Sequence, residues 1–280
     1  MKKLLLPVCL LLAGATKAQE QHGKASEVAP KGWKEGKVIY ERTMQMRRPQ
    51  GLDPEIAARI PAQRTDVYEL LFTSTRSLWR SVPRADGAAN DVTVQGPGGN
   101  VSMFRAVGMN DEVYHNFEKA ERVEKREMFD NEFIVTDSIR RLNWKLSEET
   151  RQVLGYTARK AVAQRIGTRM TMTMENGEMK RTPIADTSTI TAWYTTDFPV
   201  SVGPQEYQGQ LPGLILEVDV NNGRMLYRAV ELSPKVSVSS IKEPRGGKRL
   251  TPAEFEKEQG RLLEDMRRNM PQGAQIRISQ

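Results

Sequence analysis

Cysteine and histidine are almost missing: 280 residues contain one Cys and two His. Sites built on several imidazoles or thiolates are therefore excluded. No apolar run reaches the length needed to span a bilayer, so polytopic membrane classes are excluded too. Aromatic residues make up only 6%. Charge of one sign is also lacking. Lys+Arg number 42 against 35 Asp+Glu, a formal net charge of +7, and the two signs alternate from Glu118 to Glu127 and again near the C-terminus. A nucleic-acid groove needs a one-signed patch with interleaved aromatics, so no nucleic-acid partner is expected.

The N-terminus reads as an export signal. Met1-Lys2-Lys3 is a basic start, Leu4 to Ala13 a short apolar run, and Thr16-Lys17-Ala18 a cleavage site, with Ala15 as an alternative. Cys9 lies inside the apolar run rather than at its end, so a lipid anchor is not expected. Cleavage after Ala18 removes Cys9, leaving no thiol and no disulfide. It also removes Lys2, Lys3 and Lys17, so the charge falls from +7 by three to +4. The expected product is exported to the periplasm or cell exterior, is not a transmembrane protein and carries no cofactor.

Residues 19–34 are polar, contain Pro30 and Gly32, and read as a disordered tail. From Gly36 the pattern has period two, with Val38, Tyr40 and Met44 on one parity, interrupted by Arg42. Further strands are expected near Val67–Thr73, Ser77–Val82, Glu112–Phe117, Val123–Phe129, Glu132–Val135 and Asn143–Leu146. Asp53-Pro54-Glu55 can cap a short helix that ends before Pro61. Pro83 to Asn100 reads as a long loop.

Two Asn-Gly turns fix two hairpins. At Asn222-Gly223, pairing Val220 with Met225, Val218 with Tyr227 and Leu216 with Ala229 makes one face wholly apolar and sets Glu217 opposite Arg228. At Asn176-Gly177 the pairs are Met174 with Met179, Thr173 with Lys180 and Met172 with Arg181. Near the C-terminus, Thr251-Pro252-Ala253-Glu254 is a capping box, with Leu250 and Phe255 placed as a hydrophobic staple. Phe255, Leu262, Leu263 and Met266 form one apolar stripe. The expected architecture is mainly β. A single curved antiparallel sheet, half-barrel-like, spans 35–241, its concave face is covered by helices, and a linker and C-terminal α-helix (251–270) with a frayed tail occupy 242–280.

The segment Ala192-Trp193-Tyr194-Thr195-Thr196, through Gly203-Pro204 to Gln210-Leu211-Pro212-Gly213-Leu214-Ile215, resembles the GLPGLI family, named for this motif. Trp144 to Thr150, then Gly155-Tyr156-Thr157 to Lys160-Ala161, resembles its second signature. Gln210 stands where the family usually has Gly, and Ala158 where many members have Cys. The resemblance implies an exported protein of Bacteroidota-type bacteria, in a family with no settled biochemical activity.

The candidate site residues follow. Leu211-Pro212-Gly213-Leu214 fits a type II turn with Gly213 at positive φ. With Gln210 it is either a register-setting turn or a backbone loop approaching a ligand. Met170, Met172 and Met174 share one face, joined by Met179. Thioethers suit Cu(I), while an apolar Met-rich face suits an apolar molecule, with Arg181 beside it for an anionic head group. His115 is the only histidine outside the leader and tail, and it stands in a strand with no partner motif. A hydrolytic enzyme would need it gathered with acids such as Glu217 or Asp219. The function expected is non-catalytic binding of an apolar ligand or another envelope protein. Cu(I) handling and an unrecognised hydrolase are the alternatives.

Overall fold

The computed structural model describes residues 32–46, 61–82, 93–96, 99–102, 112–128, 131–175 and 178–269. The leader, most of the tail and the helix predicted near Asp53 lie outside these residues.

Alternating burial builds the strands. They are β1 (Gly36–Gln45), β2 (Gln63–Phe72), β3 (Arg76–Ser81), β4 (Thr93–Gly96), β5 (Gly99–Ser102), β6 (Glu112–Asn116), β7 (Glu121–Met128), β8 (Asn131–Ser138), β9 (Lys145–Val153), β10 (Tyr156–Glu175), β11 (Glu178–Thr195), β12 (Leu214–Val220), β13 (Met225–Ser233) and β14 (Lys248–Leu250). One helix, α1 (Pro252–Asn269), follows. Twelve strands form one open sheet in the order β14-β8-β7-β6-β3-β2-β1-β13-β12-β11-β10-β9. Neighbours are antiparallel except β14, which runs parallel to β8. Bulges at Ile39/Tyr40, Arg159/Ala161 and Trp193/Tyr194 bend the strands, and the sheet curves without closing. β4 and β5 pair separately as a two-stranded hairpin, which begins in the stretch that the sequence reads as loop and runs two residues past its end.

Both predicted registers are present. Val220 pairs with Met225, Val218 with Tyr227 and Glu217 with Arg228. Val218, Val220 and Tyr227 are buried on one face. Asn222 and Gly223 both take positive φ, 52° and 86°, as a tight hairpin turn demands. Across β10–β11, Met174 faces Met179, Thr173 faces Lys180 and Met172 faces Arg181.

α1 packs at the β14–β8 end, where Phe255 meets Phe133 with ring centroids 5.5 Å apart, and Leu262 and Leu263 join Val135 and Leu250. Val135 stands in register with Glu124, Val113 and Trp79, so the helix covers one end of the same sheet face that carries the main core. Its capping box is formed. The Thr251 N–H donates to Glu254 Oε2 at 2.8 Å, and the Glu254 N–H donates to Thr251 Oγ1 at 3.3 Å. The rest of that face is covered by the chain's own irregular segment between β11 and β12, through Phe198, Val200, Val202, Tyr207 and Leu211. Phe198, Val200 and Val202 alternate along this plug, and Tyr207 and Leu211 follow at wider spacing. Trp33, assigned on sequence to the tail, packs on the same core, 5.9 Å from the Phe72 ring and 4.7 Å from Phe198.

The opposite, outer face carries a smaller cluster of Leu71, Leu78, Tyr114, Val123, Ile134 and Ile241. The segment between β13 and β14 crosses over it. Among the described residues, no helix is long and apolar enough to cross a membrane.

Candidate functional site

The Gln210–Leu214 motif closes the plug. It is not a type II turn. Gly213 does not take positive φ, and its N–H donates to the Leu211 carbonyl at 2.9 Å, a tighter turn centred on Pro212. The glycine is needed for a different reason. A Cβ there would lie 2.1 Å from the Thr195 carbonyl oxygen, so the two backbones touch. Leu211 and Leu214 are buried, and Pro212 alone is exposed. Gln210 Oε1 accepts from the Leu142 N–H and from Trp144 Nε1, both at 3.0 Å, while its Nε2 donates to the Glu206 carbonyl at 2.6 Å. The side chain thus joins both signature segments.

Two further glutamines act alike. Gln208 is fully buried and accepts from Ser77 Oγ on β3, and Gln205 accepts from the Tyr227 hydroxyl. Sequence reasoning overlooked both. The available signal was the run Gln205-Glu206-Tyr207-Gln208-Gly209-Gln210, dense in glutamine yet placed between apolar residues. Around them stand stacked aromatics. Tyr68 and Trp79 lie 4.9 Å apart, Arg42 sits 4.7 Å over the Tyr68 ring, and the Tyr40 hydroxyl donates to the Ile215 carbonyl at 2.5 Å. Arg42, the interruption in the β1 pattern, is held by Asp66 at 2.8 Å.

His115 lies in β6 opposite Ser77 and Arg122 and is fully buried. Neither ring nitrogen has a hydrogen-bond partner among the described residues. Burial, reinforced by the Arg122 guanidinium, pulls its pKa down to about 3, so it is neutral near pH 7. Among the described residues, no carboxylate bonds to it as a general base would require. Glu217 is engaged by Arg151 at 2.5 Å and Arg228 at 3.3 Å, and Asp219 Oδ1 accepts from the Gly223 N–H at 2.6 Å. The structure does not bring these acids to His115.

The methionine positions lie elsewhere. β10 and β11 pair with each other from Arg159 to Glu175, but their outer partners stop early: β9 reaches Val162 and β12 reaches Ile190. Beyond that, the two strands continue as an unaccompanied ribbon among the described residues. Ala161 and Ala163 mark the core-facing parity of β10. Met170, Met172 and Met174 fall on the opposite parity, shared with Ile166, and their register partners are Pro183, Arg181 and Met179. Ile166 is 80% exposed. The methionine face therefore continues the outer face and does not belong to the core parity.

A family model described as a protein of unknown function (Porph_ging) matches residues 144–217. This stretch contains the segments joined by Gln210. No curated protein matches the chain. Two solved structures of PNGF-II, in P21 and C2 space groups, are similar to it at 16% identity, with TM-scores of 0.47 and 0.48. Each comparison covers 80% of this chain but only 32% of PNGF-II, so the chain spans about a third of that protein's length.

Proposed function

We propose that this is an exported, non-catalytic protein of the bacterial envelope, of GLPGLI type, that binds another envelope protein through the β10–β11 ribbon. One observation carries the reading. The ribbon runs past its flanking strands and presents Ile166, 80% exposed, on the parity of Met170, Met172 and Met174. A two-stranded ribbon has no second layer to bury against and gains little stability from projecting. Methionine suits adaptable protein contacts. A small apolar ligand is less well supported, because the plug already packs on the main core. A photo-cross-linking residue at Ile166, in protein expressed in its own cell envelope, tests this. A discrete protein adduct at Ile166, missing at the Val230 control position, is expected. A retained lipid without a protein adduct rejects the reading.

The register supports one second reading. Met170, Met172, Met174 and Met179 share a ribbon face, as a Cu(I) thioether site needs. Cu(I) titration against a competing chelator decides it. Equal affinity in wild type and in the triple Met→Leu change at 170, 172 and 174 removes copper while leaving the protein-binding reading intact.

A further inference from the structure

The outer face of the β3–β6 pair holds an open groove of about 590 Å3, within the size range of ligand sites. Its floor is apolar. Leu78 and Tyr114 face each other across the pair, and Ile241 packs beside them; all three are buried. Strand geometry places Arg76 and Arg80 on the same face as Leu78, one on either side of it, about 13 Å apart along β3. The second wall is the segment Ser240–Arg245, which contributes Lys242 and Arg245. That wall is fixed rather than loose. Ile241 is inserted in the outer cluster, and the exit turns through Gly246 and Gly247 at φ +95° and +70°. A Cβ on Gly247 would lie 2.2 Å from the Glu132 carbonyl oxygen.

The charges along the groove do not cancel. Arg80 is held by Glu69, and Glu243 by Arg249. Arg76, Lys242 and Arg245 form no ion pair among the described residues, and the acids left to oppose them are Glu112 in the lining and Glu121, which acts on Tyr114 from β7. Arg76 is half-buried beside Tyr114, where it offsets part of the upward push that burial gives the phenol. The cleft under α1 is different. There Arg122, Arg126 and Arg140 are answered by Glu124, Asp137 and Glu256, and Glu124 already binds the first two.

We propose that the β3–β6 groove binds an extended acidic segment of a partner polypeptide. Arg76 and Arg80 are set about 13 Å apart along β3, a spacing that suits an extended chain better than a single compact anion. In an extended chain, side chains on one side repeat at about 7 Å. An acid–x–apolar–x–acid segment then sets its carboxylates near Arg76 and Arg80, facing Lys242 and Arg245, with the apolar side chain on Leu78 and Tyr114. The site is separate from the ribbon and does not depend on the ribbon's role.

Fluorescence anisotropy with the full mature chain and a labelled, end-blocked Gly-Glu-Ser-Leu-Ser-Glu-Gly peptide tests it. Lys242→Glu with Arg245→Glu, both exposed positions, is expected to weaken binding about tenfold or more. The same reversal at Lys257 on α1 leaves binding unchanged, and replacing the peptide's Leu by Ser weakens it. Equal binding by wild type and the double reversal overturns the proposal. So does binding of inorganic phosphate or of phosphatidylglycerol vesicles in place of the peptide.

Discussion

Two irregular segments cover the two faces of one sheet, and they do so differently. The plug between β11 and β12 buries Phe198, Val200, Val202, Tyr207 and Leu211, and bonds all three of its glutamines inward. The flap between β13 and β14 is anchored by Ile241, with Val236 against the same cluster, and leaves Lys242 and Arg245 exposed. Buried polar groups that are satisfied by the protein itself specify a packing. Charges that the fold leaves unanswered are available to a ligand. On this comparison the plug builds the molecule and the flap serves recognition. The signature motif, which lies in the plug, is the structural one of the two.

The strongest challenge to that division is Phe198→Ala. Phe198 is fully buried, with Trp33 and Tyr156 rings 4.7 and 5.0 Å away. Removing it leaves a cavity between plug, sheet and N-terminal segment, at a cost of about 3–5 kcal/mol. Urea denaturation measures this. A loss below about 1 kcal/mol would mean that the plug is a loose cover, no different from the flap.

Acid sharpens the comparison next. His115 lies under the plug's edge: it stacks on Phe117, and the open side of Gly209 faces that same ring. Its folded pKa of about 3 lies below the ordinary 6.5. The unfolded chain therefore takes up a proton that the folded one refuses. The stabilisation is full above pH 6.5 and is lost, at about 1.4 kcal/mol per pH unit, as pH falls toward 3. Between pH 7 and 5, above the range where Glu254 begins to titrate, wild type should lose about 2 kcal/mol from this group. His115→Phe should flatten that slope. An unchanged slope would place the histidine in water.

Gln210→Ala comes third. It strips the acceptor from the Leu142 N–H and from Trp144 Nε1 together. Orphaned, partly buried donors of this kind cost about 1–2 kcal/mol. Trp144 fluorescence should shift toward that of a wet indole. If stability and emission both held, the link between the two signature segments would be ornamental.

How much of this was legible in the sequence differs between local and distant features. The Val218–Tyr227 register was readable because an Asn-Gly turn and an apolar parity agree, and the α1 cap because Thr251 and Glu254 are three residues apart. Gly213 was misread because Pro-Gly fits a type II turn locally, whereas its contact with Thr195 depends on the strand alongside. The helix covers only one end of the main-core face, and the share taken by the plug went unread because a segment outside the regular strands carries no signal of where it docks. β14 is three residues long and pairs with a strand more than a hundred residues earlier. The β3–β6 groove was beyond reach altogether, since Arg76 and Arg245 come to line it only because the segment between β13 and β14 crosses that part of the sheet.

The smallest expected effect separates the two segments most cleanly. Arg165 reaches the plug, where its Nη1 donates to Glu206 Oε1 at 2.7 Å, and the Glu206 carbonyl in turn holds Gln210. Arg245 reaches the flap and forms no ion pair among the described residues. Arg165→Glu and Arg245→Glu make the same chemical change at half-exposed and exposed positions. The first sets two carboxylates against each other beside the glutamine network and should lower the melting temperature measurably. The second relieves crowding among Arg76, Lys242 and Arg245, so stability should stay within about 0.5 kcal/mol of wild type, as for an ordinary surface substitution. Higher salt should shrink the first effect, because that pair is partly wet. Equal losses in the two variants would show that the flap charges hold the fold, and the division between a building segment and a recognising one would fall with them.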